Sequence, residues 1–183
     1  CLKFFKEYEE ELLYFPGAQT IHHAVKGGLL YHIYSMVKIG IPIADYYSLD
    51  KELLLTGIII HDMGKIEQLN ADENGKVGDY TKEGHMLGHM IQGIKMLNRL
   101  TAELDIDKEI LLLLEHMIAS HHFHEEWGAY QKPMFVEAEV LHHLDMIDSR
   151  VDLLKRATEE VDDGQMSSRN PYLKRMFYKP KAL

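Results

Sequence analysis

The sequence is poor in cysteine, which occurs once, at position 1. A single thiol cannot form an internal disulfide and leaves no set of cysteines for a structural zinc ion. We therefore expect a reducing compartment, for which the cytoplasm is the first assumption. A metal site in this chain would depend on histidine and carboxylate ligands rather than on thiolates.

Long apolar runs are also missing. The longest aliphatic segment, about residues 53–60, is interrupted by Thr56 and Gly57 and ends at His61-Asp62. It is far shorter than the roughly 20 residues that a membrane-spanning helix requires, so we expect a buried core segment and no membrane partner. The first residues do not combine a basic region with a following apolar stretch, so they are not a signal peptide.

Basic residues are outnumbered, with 20 Lys and Arg against 29 Asp and Glu and a net charge of −9. The charge is unevenly spread, because residues 164–183 carry five basic side chains and no acidic one. The acidic remainder argues against broad electrostatic binding of nucleic acid, although carboxylates gathered around metal ions would be neutralised. The basic tail also contains Tyr172, Phe177 and Tyr178. We interpret it as a solvated segment whose rings dock on the core, with contacts to phosphates and bases as the alternative.

Strand-like alternation is absent, and apolar residues recur at helical spacing instead. We predict a short first helix that ends at Pro16-Gly17, helices over about 28–47, 50–63, 81–104 and 107–120, and a last helix that begins near Pro133. Pro42 should end or kink the second of these helices. Residues 64–80 have the composition of a loop. Together these patterns predict an all-α fold.

The helix ends and the packing face can also be predicted. Asp50, Thr81 and Asp107 are placed to cap the helices that follow them, because their side-chain oxygens can accept an unpaired backbone N–H. The last helix is expected to bury one apolar face, which consists of Val136, Val140, Leu141, Leu144, Ile147, Val151 and Leu154.

One domain is expected, because 183 residues and 21.2 kDa leave little room for two. We divide the chain into an N-terminal helix and linker over residues 1–18, a core over 19–160 and a basic tail over 161–183. Residue 1 is not methionine, and the first helix is acidic. We therefore expect the chain to begin inside a longer protein, after a missing upstream domain. An oligomer stays an alternative to a monomer.

Histidine is abundant, and all 12 histidines lie between positions 22 and 143. A lone histidine near an apolar face is usually a hydrogen-bonded core residue. A set of histidines on successive helices, accompanied by Asp62 and Asp145, favours a metal site instead. Imidazole and carboxylate together suit divalent manganese, iron, cobalt or zinc.

The most informative short string is His61-Asp62-Met63-Gly64-Lys65, at the end of a strongly apolar helix. A buried imidazole beside a buried carboxylate is costly unless a cation pairs with them. Neighbouring helical residues point about 100° apart, so both reach one ion only from the wedge between them or where the helix ends, as Gly64 indicates. Lys65 lies one turn beyond His61 and could meet a phosphate.

Residues on four further predicted helices could converge on this string. His32 lies in the second helix, His89 in the fourth, the pair His121-His122 at the end of the fifth, and Asp145 in the middle of the last. An aspartate among apolar neighbours is strongly destabilising when it has no partner, which favours a metal ion beside Asp145.

This ordered set, His32, His61-Asp62, His89, His121-His122 and Asp145, resembles the metal-dependent phosphohydrolases of the HD-domain superfamily, over about residues 22–150. The strings HHA, GGL, HDMGK, Gly88-His89, SHH and LHHLDMID are similar to the HD domain of YhaM-type 3′-to-5′ exoribonucleases. Members of that family typically carry an oligonucleotide-binding-fold domain ahead of the HD domain. Such a domain would account for the way this chain starts.

The resemblance implies an HD-domain helical bundle of five or more core helices that hydrolyses phosphodiester or phosphate ester bonds. It implies two divalent metal ions, with manganese expected and iron, cobalt, nickel, zinc or magnesium as alternatives. The implied ligands are His32, His61, Asp62 and Asp145 for the first ion, and His89, His121 and the bridging Asp62 for the second, with His122 as a further or alternative ligand.

Asp62 and Lys65 are the implied catalytic residues. Two cations would clamp the phosphate and acidify a water molecule that attacks phosphorus in line. Lys65, together with His23 or Arg150, would bind the substrate by neutralising its non-bridging oxygens. His22 fits a role near the substrate by resemblance alone.

The remaining histidines keep more than one interpretation. His142 and His143 are expected to pack or to support the metal ligands. His85 either faces the pocket or pairs with an acidic residue outside it. His116 and His124 compete with the His121-His122 pair as candidate ligands.

Three functions stay open on the sequence. The first is a metal-dependent phosphodiesterase that acts at the 3′ end of single-stranded RNA, and the second is a phosphohydrolase for a small nucleotide or dinucleotide. The third is a binding module whose metal site is structural, against which Lys65 argues because a structural site has no use for it. Trp127, Tyr130 and Phe135 either stack on a base or pack in the core.

Overall fold

A computed structural model describes residues 1–19 and 23–181 of the chain. Its helices are α1 (Leu2–Glu7), α2 (Glu9–Leu12), α3 (Gly28–Tyr47), α4 (Lys51–Ile60), α5 (Lys65–Gln68), α6 (Lys82–Thr101), α7 (Lys108–Ser120) and α8 (Val136–Glu159). Two short strands, β1 (Leu69–Ala71) and β2 (Val77–Tyr80), and a 3-10 turn (Glu125–Trp127) complete the elements. The all-α prediction is therefore confirmed. No helix in this described part combines the length and apolar character needed to cross a bilayer.

The three predicted N-caps are confirmed. The Asp50 carboxylate accepts the Leu53 N–H at 3.0 Å and thereby starts α4. The Thr81 hydroxyl accepts the N–H of Gly84 at 2.8 Å at the start of α6, and the Asp107 carboxylate accepts that of Glu109 at 2.7 Å at the start of α7. Each cap satisfies a backbone donor that has no partner inside its own helix.

The core is built around α4, which packs against α3, α7 and α8. Its Leu54 and Ile58 are fully buried, as are Met36 of α3 and Met117 of α7. Removing such side chains from water stabilises the fold by about 1.5–3 kcal/mol each. Apolar residues of the first 18 residues join the same core, namely Phe4, Tyr8, Leu12 and Phe15.

The buried face of α8 differs from the predicted one. Leu141 and Leu144 are buried as expected, but Val136, Ile147 and Val151 are exposed. The prediction is wrong for these three residues because polar residues with internal partners occupy part of the buried face. These buried polar side chains are His142, Asp145 and Asp148.

Two further local predictions are corrected by the structure. Of the two effects predicted for Pro42, the helix end is wrong, because α3 continues to Tyr47. Helix packing offsets the missing hydrogen bond, since α3 approaches α4 closely at Gly40, where a Cβ would lie 2.7 Å from Ile58 Cδ1. Residues 64–80 are not a plain loop, because they contain α5 and the antiparallel β1–β2 hairpin. Strands of three and four residues are too short to show an alternating pattern in the sequence.

The basic tail folds mainly on itself. The backbone N–H of Ser167 donates to the carbonyl of Phe177 at 2.7 Å, and Met166 and Tyr178 form an isolated β-bridge. Tyr178 keeps 55% of its surface exposed and Tyr172 keeps 47%. These two rings are therefore about half exposed rather than buried in the core.

Gly64 allows α5 and α6 to pack closely together. Its φ is −64°, so the position does not need glycine for its backbone conformation. A Cβ at Gly64, however, would lie 1.9 Å from the carbonyl oxygen of His89 and 2.5 Å from the backbone nitrogen of Gly93. The absence of a side chain therefore sets the distance between the segment that follows α4 and the part of α6 that carries His89.

We predict that Gly64→Ala destabilises the protein, because backbone atoms of α6 cannot move aside as a flexible side chain would. The expected loss is about 1–3 kcal/mol in the free energy of unfolding, the usual range for overpacking. Urea denaturation followed by circular dichroism measures it. Gly78→Ala is the matched control, since nothing lies within 4 Å of a Cβ at that position. Equal stability of the two variants would contradict the packing role of Gly64.

Candidate metal centre

His61 and Asp62 lie in the turn that directly follows α4. The α4 helix ends at Ile60, and the backbone N–H of His61 still donates to Gly57 O at 2.9 Å. Both side chains are buried, and His61 Nε2 lies 3.4 Å from Asp62 Oδ2. The end of the helix brings the imidazole and the carboxylate to one side, as the sequence predicted.

Side chains from four other helices reach this pair. His32 of α3 places Nε2 at 3.8 Å from Asp62 Oδ2, and His89 of α6 places Nε2 at 3.7 Å from Asp62 Oδ1. His121, directly after α7, also places Nε2 at 3.7 Å from Asp62 Oδ1. Asp145 of α8 lies 3.4 Å from His32 Nε2. Asp62 is therefore the centre of the arrangement.

The ligand atoms form overlapping groups, each with its members within 4.8 Å of one another. One group contains Asp62 and the three histidines of the second predicted site, which are His89, His121 and His122. Another contains His32, His61 and Asp62, and a third contains His61, His121 and Asp145. Asp62 belongs to two of these groups and therefore connects the two sets of candidate ligands.

Several buried atoms in this cluster that could bind a metal ion have no hydrogen-bond partner within the described residues. They are His61 Nε2, His89 Nε2, His121 Nε2 and Asp62 Oδ1. Buried polar atoms are nearly always hydrogen-bonded, and each exception carries a cost of about 1–3 kcal/mol. Imidazole nitrogens and carboxylate oxygens that point at one another across 3.7 Å are the donor set that divalent transition metals prefer. The residues present therefore fit a divalent metal centre.

Hydrogen bonds fix which imidazole nitrogen faces the centre. His61 Nδ1 donates to Ile58 O and His121 Nδ1 donates to Ile118 O, both at 2.8 Å. His122 Nδ1 donates to the carbonyl of Trp127. With Nδ1 protonated, Nε2 of a neutral imidazole keeps its lone pair for a cation.

The charge states suit cation binding. Burial lowers the pKa of His89 to about 3 and also lowers the pKa of His121 and of His122, so these rings are neutral near pH 7. Burial alone would raise the pKa of Asp62, but Lys65 and His61 outweigh it and hold the pKa well below its usual range. At His89, His121 and His122 the centre therefore combines the ionised Asp62 carboxylate with neutral imidazoles, which is the protonation state of metal ligands.

Gly88 breaks α6 directly before His89. Its φ of 68° and ψ of 167° lie in a region that residues with a side chain rarely adopt. The break lets the chain deliver His89 to the centre and then continue as a helix packed on α7. The glycine before His89 is therefore explained by its backbone conformation as well as by the resemblance to the HD-domain family.

Asp148 is a functional residue that the sequence analysis missed. Its carboxylate accepts hydrogen bonds from His32 Nδ1 at 2.7 Å, from His23 Nε2 at 2.7 Å and from the hydroxyl of Ser35. Burial lowers the pKa of His32, but its hydrogen bonds to Asp145 and Asp148 outweigh burial and raise it to about 9. Asp148 thus holds His32 with Nε2 directed at Asp62 and Asp145. Its spacing of three residues from Asp145, on the same helix face, was the available signal.

Lys65 lies beside the centre rather than at the surface. Its ammonium donates to Asp62 Oδ2 at 2.6 Å and to the Gly17 carbonyl at 2.7 Å. The lysine therefore connects the Asp62 carboxylate with the segment that precedes α3. An ammonium has three protons, and these two bonds leave one for another acceptor.

The other predicted substrate-binding residues are His23, which lies beside His32 with ring centroids 5.3 Å apart, and Arg150. His23 is buried against Asp148, and its backbone N–H donates to Asp152 Oδ2 at 2.9 Å. Arg150 is exposed on α8. His22 lies outside the described residues.

Most of the remaining histidines are not part of the cluster. His142 supports it, because its Nδ1 donates to the His121 carbonyl at 2.7 Å, as expected. His143 is exposed and pairs with Glu139, which corrects the prediction that it packs or supports a ligand. His85 pairs with Asp79 at 3.3 Å, outside the centre. The two competing candidates lie elsewhere: His116 Nε2 accepts the Met134 N–H, and the His124 ring packs against Trp127.

We predict that Asp148→Asn weakens manganese binding by about 10- to 100-fold, the range observed for residues that orient metal ligands. The amide keeps the shape of the side chain but removes the charge that His32 and His23 face. Titration calorimetry with manganese measures the effect, and circular dichroism checks the fold. Asp105→Asn, at an exposed position in the loop before α7, is the control. Unchanged manganese affinity in Asp148→Asn would contradict the role of this carboxylate.

Comparison with known proteins agrees with this geometry. The family model for the HD domain matches residues 29–150. The 3′-5′ exoribonuclease YhaM of Bacillus subtilis (strain 168) is 41% identical over 177 residues, which are 96% of this chain and 55% of that protein. The 3′-5′ exoribonuclease YhaM of Oceanobacillus iheyensis is 41% identical over 180 residues, which are 97% of this chain and 56% of that protein. The protein of the same name in Geobacillus sp. (strain WCH70) is 37% identical over 177 residues, which are 96% of this chain and 54% of that protein.

The chain spans about half the length of the curated relatives that it matches. No solved structure gives a significant match. The family model covers about two thirds of the chain, and the matched segment contains every ligand candidate from His32 to Asp145. This chain therefore belongs to the HD-domain family.

Proposed function

We propose that this chain is the catalytic domain of a metal-dependent phosphohydrolase that removes nucleotides from the 3′ end of single-stranded RNA in the cytoplasm. The observation that carries the proposal is the set of buried ligand atoms on His61, Asp62, His89 and His121 that have no hydrogen-bond partner among the described residues. The relatives named as 3′-5′ exoribonucleases support RNA as the substrate class. The exposed cysteine supports a reducing compartment.

Two divalent cations, with manganese first, are the proposed cofactors. His32, His61, Asp62 and Asp145 would hold one of them, and His89, His121 and His122 would hold the other together with Asp62. When bound, such ions supply charge stabilisation for a phosphoryl oxygen and lower the pKa of water.

The protein's own residues supply positioning and charge. Asp62 keeps its negative charge while fully buried, because Lys65 donates to it at 2.6 Å. The remaining proton of the Lys65 ammonium is available to a non-bridging phosphate oxygen, whose negative charge it would stabilise. Burial of the ring nitrogens keeps solvent away from the site and strengthens these electrostatic interactions.

A small nucleotide is the second candidate substrate. A cavity of about 410 Å³ lies beside the cluster and is lined by Lys65, His89 and His122. This volume lies at the lower end of the range of small-molecule sites, roughly 300–1,000 Å³, and suits a single nucleotide. A mononucleotide and the last nucleotide of an RNA would both fit such a space.

Incubation of the purified chain with end-labelled single-stranded RNA, and in parallel with nucleotides and dinucleotides, tests the proposal. Each reaction is run with manganese and with a chelator. Metal-dependent shortening from the 3′ end supports the exonuclease. Hydrolysis of small nucleotides alone replaces it with the second candidate, and inactivity on both classes favours a binding module with a structural metal.

We predict that Asp62→Asn abolishes hydrolysis and weakens manganese binding, because the amide cannot supply the negative charge that cations on either side would share. Activity on labelled RNA and titration calorimetry with manganese measure the two effects. Asp105→Asn, which changes an exposed aspartate, should behave like the unmodified protein. Full activity of Asp62→Asn would refute the proposed centre.

We predict that Lys65→Met lowers turnover by roughly 10²- to 10³-fold, the usual effect of removing one charge-stabilising donor. Manganese affinity should not weaken, because Lys65 is not a ligand and its removal frees Asp62 Oδ2. The kcat and the manganese dissociation constant are measured separately, with Lys82→Met at an exposed position as the control. An unchanged kcat in Lys65→Met would contradict the charge-stabilising role, and a weaker manganese affinity would assign Lys65 to the support of Asp62 instead.

A further inference from the structure

The cavity beside the metal centre has two chemically different walls. One wall is polar and carries Lys65, His89 and His122 from the centre. The aromatic residues Tyr80, Trp127 and Tyr130 also line the cavity and are here called the aromatic wall, and apolar side chains complete the lining. A ligand that fills this space must therefore combine an anionic group with a flat apolar group.

Trp127 is held in place from several directions. Its carbonyl accepts the proton of His122 Nδ1, and its backbone N–H donates to the carbonyl of His124 at 3.0 Å. The His124 ring packs edge-on against the indole with centroids 4.4 Å apart. Tyr130 is tied to α7, because its N–H donates to Ala119 O at 3.1 Å. The aromatic wall is thus connected by hydrogen bonds to the same segment that supplies His121 and His122.

The aromatic rings are nevertheless not buried. Trp127 keeps 47% of its surface exposed and Tyr130 keeps 54%. Exposed rings that line a cavity are surfaces for stacking, because a planar ligand removes them from water without any rearrangement of the core. Phe135, the third aromatic residue singled out in the sequence, packs instead against the core and His116.

We propose that this cavity binds the terminal nucleoside of the substrate, with the base stacked on Trp127 and Tyr130 and the phosphate directed toward Lys65. The inference rests on the proposed function, since it assigns the part of the substrate that is recognised beside the centre. Stacking on an aromatic ring tolerates every base, because each base has a π-face. The site therefore selects a nucleotide but not a particular base.

The single tryptophan of the chain makes the proposal directly measurable. Trp127 is the only source of indole fluorescence, so a base that stacks on it changes the signal of this residue alone. Excitation at the red edge of the indole band avoids absorption by adenine. Adenosine 5′-monophosphate is the probe, and ribose 5-phosphate, which lacks the base, separates stacking from phosphate binding. Both are titrated in the presence of manganese.

We expect adenosine 5′-monophosphate to change the Trp127 fluorescence in a saturable way and ribose 5-phosphate to leave it unchanged. Tyr130→Ala should weaken nucleotide binding by roughly 5- to 150-fold, the equivalent of losing one stacked ring. Titration calorimetry should give a similar loss for Trp127→Ala and a smaller one for Trp127→Phe, which keeps a ring. Tyr46→Ala is the matched control, because Tyr46 is 81% exposed on α3 and does not line the cavity.

Failure of this inference is distinguishable from failure of the proposed function. If RNA is shortened but the nucleotide leaves Trp127 fluorescence unchanged, or binds Trp127→Ala as tightly as the unmodified protein, the aromatic wall is not the base site and the inference is wrong. If RNA is not shortened but the nucleotide binds with the expected loss in Tyr130→Ala, the nucleotide site stands and the exonuclease proposal falls. Equal responses to adenosine 5′-monophosphate and ribose 5-phosphate would also overturn the stacking role.

Discussion

The buried, ionised carboxylate of Asp62 is the constraint on which the rest of the structure depends. A charge removed from water is costly unless partners surround it. Lys65 supplies one partner, and the imidazoles of His61, His89 and His121 direct their Nε2 atoms toward the carboxylate without hydrogen-bonding to it. These groups come from the ends or interiors of core helices, so the helix packing that buries the apolar core also assembles the centre.

Much of this arrangement could be predicted because its signals are local. Helix starts at Asp50, Thr81 and Asp107 depend on a side-chain oxygen next to an unpaired backbone donor, and each of these bonds is present. The position of His61-Asp62 at the end of an apolar helix is equally local. The ligand set itself was found by its order along the chain rather than by its geometry, and its assignment to individual ions stays a prediction.

The errors arise where a residue's role depends on distant partners. The sequence placed Ile147 on the inner face of α8 because it is apolar, whereas Asp148 is inside because His32 and His23 donate to it across more than 100 residues of sequence. Gly64 follows the end of α4 as predicted, but the sequence did not show that its small size also serves the contact with His89. The spacing of apolar residues in a single sequence does not show which distant residues come into contact.

The two halves of the proposed site differ in what builds them. The ligand atoms lie on or directly beside long helices, where packing on both sides leaves little freedom. The aromatic wall comes from the β1–β2 hairpin and from the loop around the 3-10 turn, in which Trp127 and Tyr130 are half exposed. Loops tolerate change far better than core helices do. Metal-dependent chemistry would therefore be fixed by the helical core, whereas the affinity for the nucleotide beside it would be set by Tyr80, Trp127 and Tyr130.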